Sequence, residues 1–91
     1  MTVRILIPTV LRRATQGQSE VRIIGKTIAD CIEGLETQFP GIRARLCDET
    51  GEVRRFVNIY VNGEDVRFLT GTATPVRAGD EVSIVPAVAG G

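Results

Sequence analysis

The chain of 91 residues contains no histidine and no tryptophan, and only four aromatic side chains, Phe39, Phe56, Tyr60 and Phe68. Without histidine it lacks the usual general base, the partner of Ser-His and Cys-His nucleophiles, and the commonest metal ligand. Two cysteines alone do not make an ordinary zinc site. Charge of either sign is not in excess: eleven basic residues balance eleven acidic ones. With 4% aromatics, the composition has neither the basic footprint nor the stacking groups of a nucleic-acid binder. Arg12–Arg13 and Arg54–Arg55 read as solvated surface charge. No apolar run approaches the roughly 20 residues that span a bilayer. Phosphate-cradling glycine loops and dinucleotide fingerprints are missing as well. Asp48, Glu49 and Glu52 lack the ordered spacing of a calcium loop and read as a solvated turn.

Met1 to Pro8 carries Arg4 inside its short apolar stretch and has no small-residue cleavage site, so it reads as a strand and not as a signal peptide. The expected location is the cytoplasm, with Cys31 and Cys47 reduced. Cys31 falls on an apolar helix position and reads as core. Cys47, at a loop edge, is expected to be partly exposed, with Asp48 and Glu49 holding its pKa up. Lys26 is the only lysine beside ten arginines. A chain-forming protein modifier would therefore find only Lys26 and the N-terminus as acceptor amines.

What is present is a regular alternation of elements. Val3, Ile5 and Ile7 alternate with Arg4 and Leu6, and Val21 and Ile23 alternate with Glu20 and Arg22, giving an N-terminal hairpin. Thr27, with Asp30 three residues on, is a helix start. Ile28, Cys31, Ile32, Leu35 and Phe39 then form one apolar stripe, which Pro40-Gly41 ends. Ile42 and Leu46 fit a short helical turn. Phe56–Val61 is a β-branched and aromatic strand, Asn62-Gly63 a hairpin turn, and Val66–Phe68 is expected to continue as the returning strand. Glu81–Pro86 closes the series. The order β-β-α-β-β-β predicts an α+β fold of the β-grasp (ubiquitin-like) type, a mixed sheet of four to five strands with one main helix on one face and the last strand parallel to the first. Ile5, Ile23, Ile32, Leu35, Val57, Ile59, Val82 and Ile84 form its expected core. Residues 1–86 are the expected domain, and 87–91 a flexible tail.

That tail, Ala87-Val-Ala-Gly-Gly91, follows the final strand directly. Glycine lacks Cβ and passes through narrow channels, so Gly90 and Gly91 suit a carboxylate presented to another protein's active site, with Ala87, Val88 and Ala89 giving slim apolar contact. Parity places Phe56, Asn58 and Tyr60 on the face away from the helix, and pairing across Asn62-Gly63 adds Arg67 and Leu69. Phe56, Tyr60 and Arg67 are thereby a candidate partner surface.

Arg55-Phe-Val-Asn-Ile-Tyr-Val-Asn62, Glu64-Asp-Val-Arg-Phe68, Gly79-Asp80 and Pro86-Ala-Val-Ala-Gly-Gly91 resemble the ubiquitin-like sulfur carrier family (CysO/MoaD/ThiS), and most of all its cysteine-biosynthesis branch. The likeness extends to Ile7-Pro-Thr9 and departs mainly in Val10–Ser19 and Asp48–Glu52. It implies that a ThiF/MoeB-like adenylyltransferase-sulfurtransferase activates Gly91 with ATP-Mg and converts it to a thiocarboxylate. A CysM-like, PLP-dependent cysteine synthase would then accept the sulfur, and a metallopeptidase would release the new cysteine. The chain itself is expected to bind no cofactor or metal and to act as co-substrate, not as an enzyme. Carriers for molybdopterin or thiamin synthesis, a protein modifier conjugated through Gly91, and an adaptor binding through its sheet are the alternatives.

Overall fold

A computed structural model describes residues 2–86. Five strands form one mixed sheet: β1 (Val3–Leu6), β2 (Glu20–Ile23), β3 (Val57–Val61), β4 (Glu64–Asp65) and β5 (Glu81–Pro86), in spatial order β2-β1-β5-β3-β4. β1 and β2 are antiparallel, with Val3 opposite Ile23. β5 lies between β1, to which it is parallel, and β3, to which it is antiparallel. The helices α1 (Ile28–Gln38) and α2 (Ile42–Leu46) cover one face. This is the β-grasp plan that the element order predicts.

Local chemistry explains the boundaries. Thr27 Oγ1 accepts the Asp30 amide at 3.2 Å while Asp30 Oδ2 accepts the Lys26 amide at 2.9 Å, so two donors at the start of α1 are satisfied reciprocally. Gly41 and Arg43 amides donate to the Glu36 carboxylate, which ties the start of α2 back to α1. Asn62 (φ 50°) and Gly63 (φ 89°) form the β3–β4 turn, both in the left-handed region that such a turn needs. The segment after β4 is laced to the start of α1 by the Ile28 amide on the Thr74 carbonyl and the Val76 amide on the Lys26 carbonyl.

All eight expected core residues are buried, together with Val3, Ile7, Val21, Ile28, Phe39, Ile42, Leu46 and Val66. Two expectations fail. β4 stops at Asp65, and Val66–Phe68 is a 3-10 turn, because Asp65 Oδ1 accepts the Arg67 amide at 2.8 Å and bends the chain locally. Cys47 is not partly exposed but buried, because its backbone bridges to Val53 and the loop between them folds over it. Asp48 closes that loop by accepting from the Thr50 hydroxyl and from the Thr50 and Glu52 amides.

Candidate functional site

Alternation along β5 turns Val82 and Ile84 into the core and Glu81, Ser83 and Val85 to the opposite face. That outer face has two halves. Over β2, β1 and the start of β5, charges interlock: Arg4 meets Glu81 at 3.2 Å and Glu20 at 3.7 Å, and Glu20 meets Arg22 at 3.5 Å. These pairs are partly exposed, so each contributes at most about 1 kcal/mol. Toward the end of β5 the surface changes character. Register sets Tyr60 opposite Ser83, Asn58 opposite Val85, and Val57 opposite Pro86, the last described residue of β5. Val85 is 44% exposed and Phe56 60% exposed, while Leu6 and Tyr60 are half-buried beside them.

Of the sequence-predicted residues, Tyr60 thus lies on the outer face opposite Ser83, mid-way along β5, and Phe56 is exposed in the turn just before Val57, which is opposite Pro86. Arg67 reaches the same place by an unexpected route. It sits on the 3-10 turn, not on a strand, and its guanidinium spans the edge of β3. Nη2 donates to the carbonyls of Val57 (2.7 Å), Arg54 (2.9 Å) and Arg55 (3.4 Å), and Nη1 donates to Asn58 Oδ1. Leu69 is 43% exposed but ends the 3-10 turn and is not paired on a strand as expected, and Phe68, which sequence parity pairs with Val66, is 87% exposed. Val85 was legible in the alternation of β5 and belongs with the predicted surface. Gly90, Gly91, Ala87, Val88 and Ala89 lie outside the described residues.

The remaining chemistry is structural. Burial, reinforced by Asp30, pushes the Cys31 thiol up to about 11. Burial also raises Cys47, with Asp48 adding to the rise and Arg43 and Arg54 opposing it. Neither thiol is ionised near neutral pH, so neither is an activated nucleophile. A cleft of about 470 Å3 runs between α1, α2 and the 48–51 loop. Two of its charges have partners: Arg43 pairs with Glu33, and Asp48 is held by Thr50, whose hydroxyl bond is the main cause of its lowered pKa. Among the described residues no three His, Cys, Asp or Glu side chains gather as a metal site, and no helix is long and apolar enough to cross a membrane.

Comparison with known proteins covers nearly the whole chain. Residues 5–91 match the model of the ThiS family. The sulfur carrier protein CysO of Mycobacterium tuberculosis is 52% identical over 93 residues, covering all of both chains. The small archaeal modifier protein 3 of Haloferax volcanii is 43% identical over 65 residues, 71% of this chain and 70% of that one. Among solved structures, the BexX/CysO complex of Amycolatopsis orientalis superposes with a TM-score of 0.93 at 46% identity, over 98% of this chain and 99% of that one.

Proposed function

The chain belongs to the ThiS family, and from that premise we propose that it is a sulfur carrier whose working group is the carboxylate of Gly91. The full-length identity of 52% to a sulfur carrier protein is the observation that carries this reading. The carboxylate attacks the α-phosphate of ATP-Mg in a ThiF/MoeB-like adenylyltransferase-sulfurtransferase, and pyrophosphate leaves. A sulfide equivalent then displaces AMP from the acyl-adenylate and leaves a thiocarboxylate. The similarity to CysO favours cysteine biosynthesis as the destination. There the thiocarboxylate sulfur takes the place of the leaving group of an activated serine on a CysM-like, PLP-dependent synthase, the new cysteine stays joined to the Gly91 carbonyl, and a metallopeptidase hydrolyses that bond to free the cysteine and restore the carboxylate. ATP and PLP are handled by the partners, in the cytoplasm, and this chain serves as their co-substrate.

What the fold contributes is position. β5 is held on both sides, by β1 and β3, so the root of the tail is fixed relative to the outer face. Phe56, Tyr60 and Val85 give the activating enzyme an apolar footing next to that root. Gly90 and Gly91 enter the partner's channel, with Ala87, Val88 and Ala89 behind them.

Adding one residue after Gly91 moves the carboxylate by about 3.5 Å. Misplacement by about an ångström costs on the order of a hundredfold in rate. ATP–pyrophosphate exchange with the host's activating enzyme should therefore collapse for the extended chain and for the chain lacking Gly91. Equal activation of all three would overturn the proposal. A second reading, a protein modifier, draws on the similarity to small archaeal modifier protein 3. It predicts Gly-Gly remnants on lysines of other proteins, whereas the carrier predicts a fraction of this chain heavier by one oxygen-to-sulfur exchange.

A further inference from the structure

β4 is two residues long, and this leaves an edge of β3 without a strand beside it. Val61 pairs with Glu64 across the turn, and strand alternation points the Val57 carbonyl to that same edge, beyond the reach of β4. Arg67 fills the gap. Its one guanidinium takes the Val57 carbonyl together with those of Arg54 and Arg55, and its other amino group takes Asn58 Oδ1. The bonded carbonyls bracket Phe56, whose turn is closed by the Val57 amide on the Arg54 carbonyl at 3.0 Å. Phe56 is 60% exposed, and the turn that carries it is held by Arg67. The next residue, Val57, lies opposite Pro86 at the end of β5.

We infer that Arg67 is a positioning residue for recognition: it holds the turn carrying Phe56 beside the root of the tail, so that the protein receiving the tail meets Phe56 in one fixed place. The inference rests on the carrier reading above, and its occupant is the host's carrier-adenylating enzyme. The two hydrogens of Nη2 serve the Val57 and Arg54 carbonyls, with Arg55 a longer contact at 3.4 Å, while Nη1, held in the same plane, reaches Asn58 Oδ1; two donor nitrogens at a fixed separation are what the guanidinium supplies. Lysine, with the same charge, cannot reproduce that geometry. The role therefore belongs to the guanidinium shape and not to positive charge at the surface.

The test compares Arg67→Gln, Arg67→Lys, Phe56→Ala and the Arg67→Gln/Phe56→Ala double variant in ATP–pyrophosphate exchange. Folding of each is checked by circular dichroism. Each single variant should raise KM for the carrier about tenfold, as loss of one interface anchor does, with kcat within about twofold. The double variant should be no worse than Phe56→Ala alone, because Arg67 acts through Phe56. If Arg67→Lys keeps the native KM, or the two effects add in full, the positioning role is overturned while the carrier reading stands. If neither Arg67 variant is folded, Arg67 serves the fold and the inference is wrong. If the native chain is not adenylated, the carrier reading falls and the inference falls with it.

Discussion

Ile23 on β2 occupies the space that a side chain on Gly34 of α1 would need: a Cβ there would lie 2.5 Å from Ile23 Cγ2. Cγ2 is one branch of a stiff β-branched side chain and has no easy way to withdraw. The helix can approach the sheet this closely only because Gly34 has no Cβ. Alanine at 34 gains up to about 1 kcal/mol in helix propensity. Overpacking costs about 1–3 kcal/mol, so Gly34→Ala should be net destabilising by roughly 1 kcal/mol. In an Ile23→Ala background the clash is gone and the same change should be neutral or stabilising. Urea titrations of the four proteins check both signs.

Ile59, 2% exposed, is central to β3 and lies in the apolar core. Ile59→Ala should cost about 2–5 kcal/mol, the range for a buried aliphatic truncated without collapse of the site. A denaturation midpoint close to that of the native protein would contradict its place in the core.

Gly63 has φ 89° in the turn between β3 and β4. Gly63→Ala forces a Cβ into the left-handed region and should lower stability by about 1 kcal/mol. Space is not the obstacle, since a Cβ there would meet nothing within 4 Å. The loss should therefore be similar for Gly63→Ala and Gly63→Ser, and smaller for Gly63→Asn, which tolerates that backbone better. Thermal melts of the three variants test the order.

Stability should also fall at alkaline pH in a way that Cys31 controls. Its folded pKa is raised from the ordinary 9.0 to about 11, chiefly by burial. Below pH 9 the thiol is protonated in both folded and unfolded chains, and stability is unaffected. Between 9 and 11 the unfolded chain loses the proton while the folded chain keeps it, so stability declines with rising pH. Cys47, raised by the same cause, adds to the decline. Replacing Cys31 with Ala should flatten the slope across that window, measured as the difference in denaturation midpoint between variant and native protein. An unchanged slope would mean that the thiol is hydrated in the folded state.

The elements that the sequence made legible are those whose signal is local. The stripe Ile28, Cys31, Ile32, Leu35 and Phe39, capped by Thr27, is α1, and the parity of Val57, Ile59 and Val61 set the buried face of β3. What misled was a competition that periodicity does not see. Val66 and Phe68 have strand spacing, but the Asp65 side chain captures the Arg67 amide and turns the chain, burying Val66 and leaving Phe68 exposed. Cys47 was misjudged for a related reason: whether a loop folds back over its first residue depends on tertiary pairing with Val53, which has no local signature. The outward side of Tyr60 was readable from alternation, whereas the turn that carries Phe56 and its contacts with Arg67 required knowing that β3 starts at Val57 and that β4 is too short to cover its edge.

The last prediction separates a main-chain sulfur carrier from a thiol carrier. Cys31 is 2% exposed and Cys47 4% exposed, and burial raises the pKa of both, so neither offers an accessible thiolate near neutral pH. A persulfide on either would need the core to open. The proposed route instead forms its carbon–sulfur bond at the carboxyl carbon of Gly91, leaving both cysteines as spectators. The Cys31→Ala/Cys47→Ala variant should thus be adenylated and loaded with sulfur as the native chain is, although truncating two small core side chains lowers its stability by about 1 kcal/mol or more. Intact mass after loading should show the oxygen-to-sulfur increment in both proteins, and fragmentation should place it on the last residue. Loss of the increment in a variant that is still folded and still adenylated would assign the sulfur to a cysteine and overturn the carboxyl-borne mechanism.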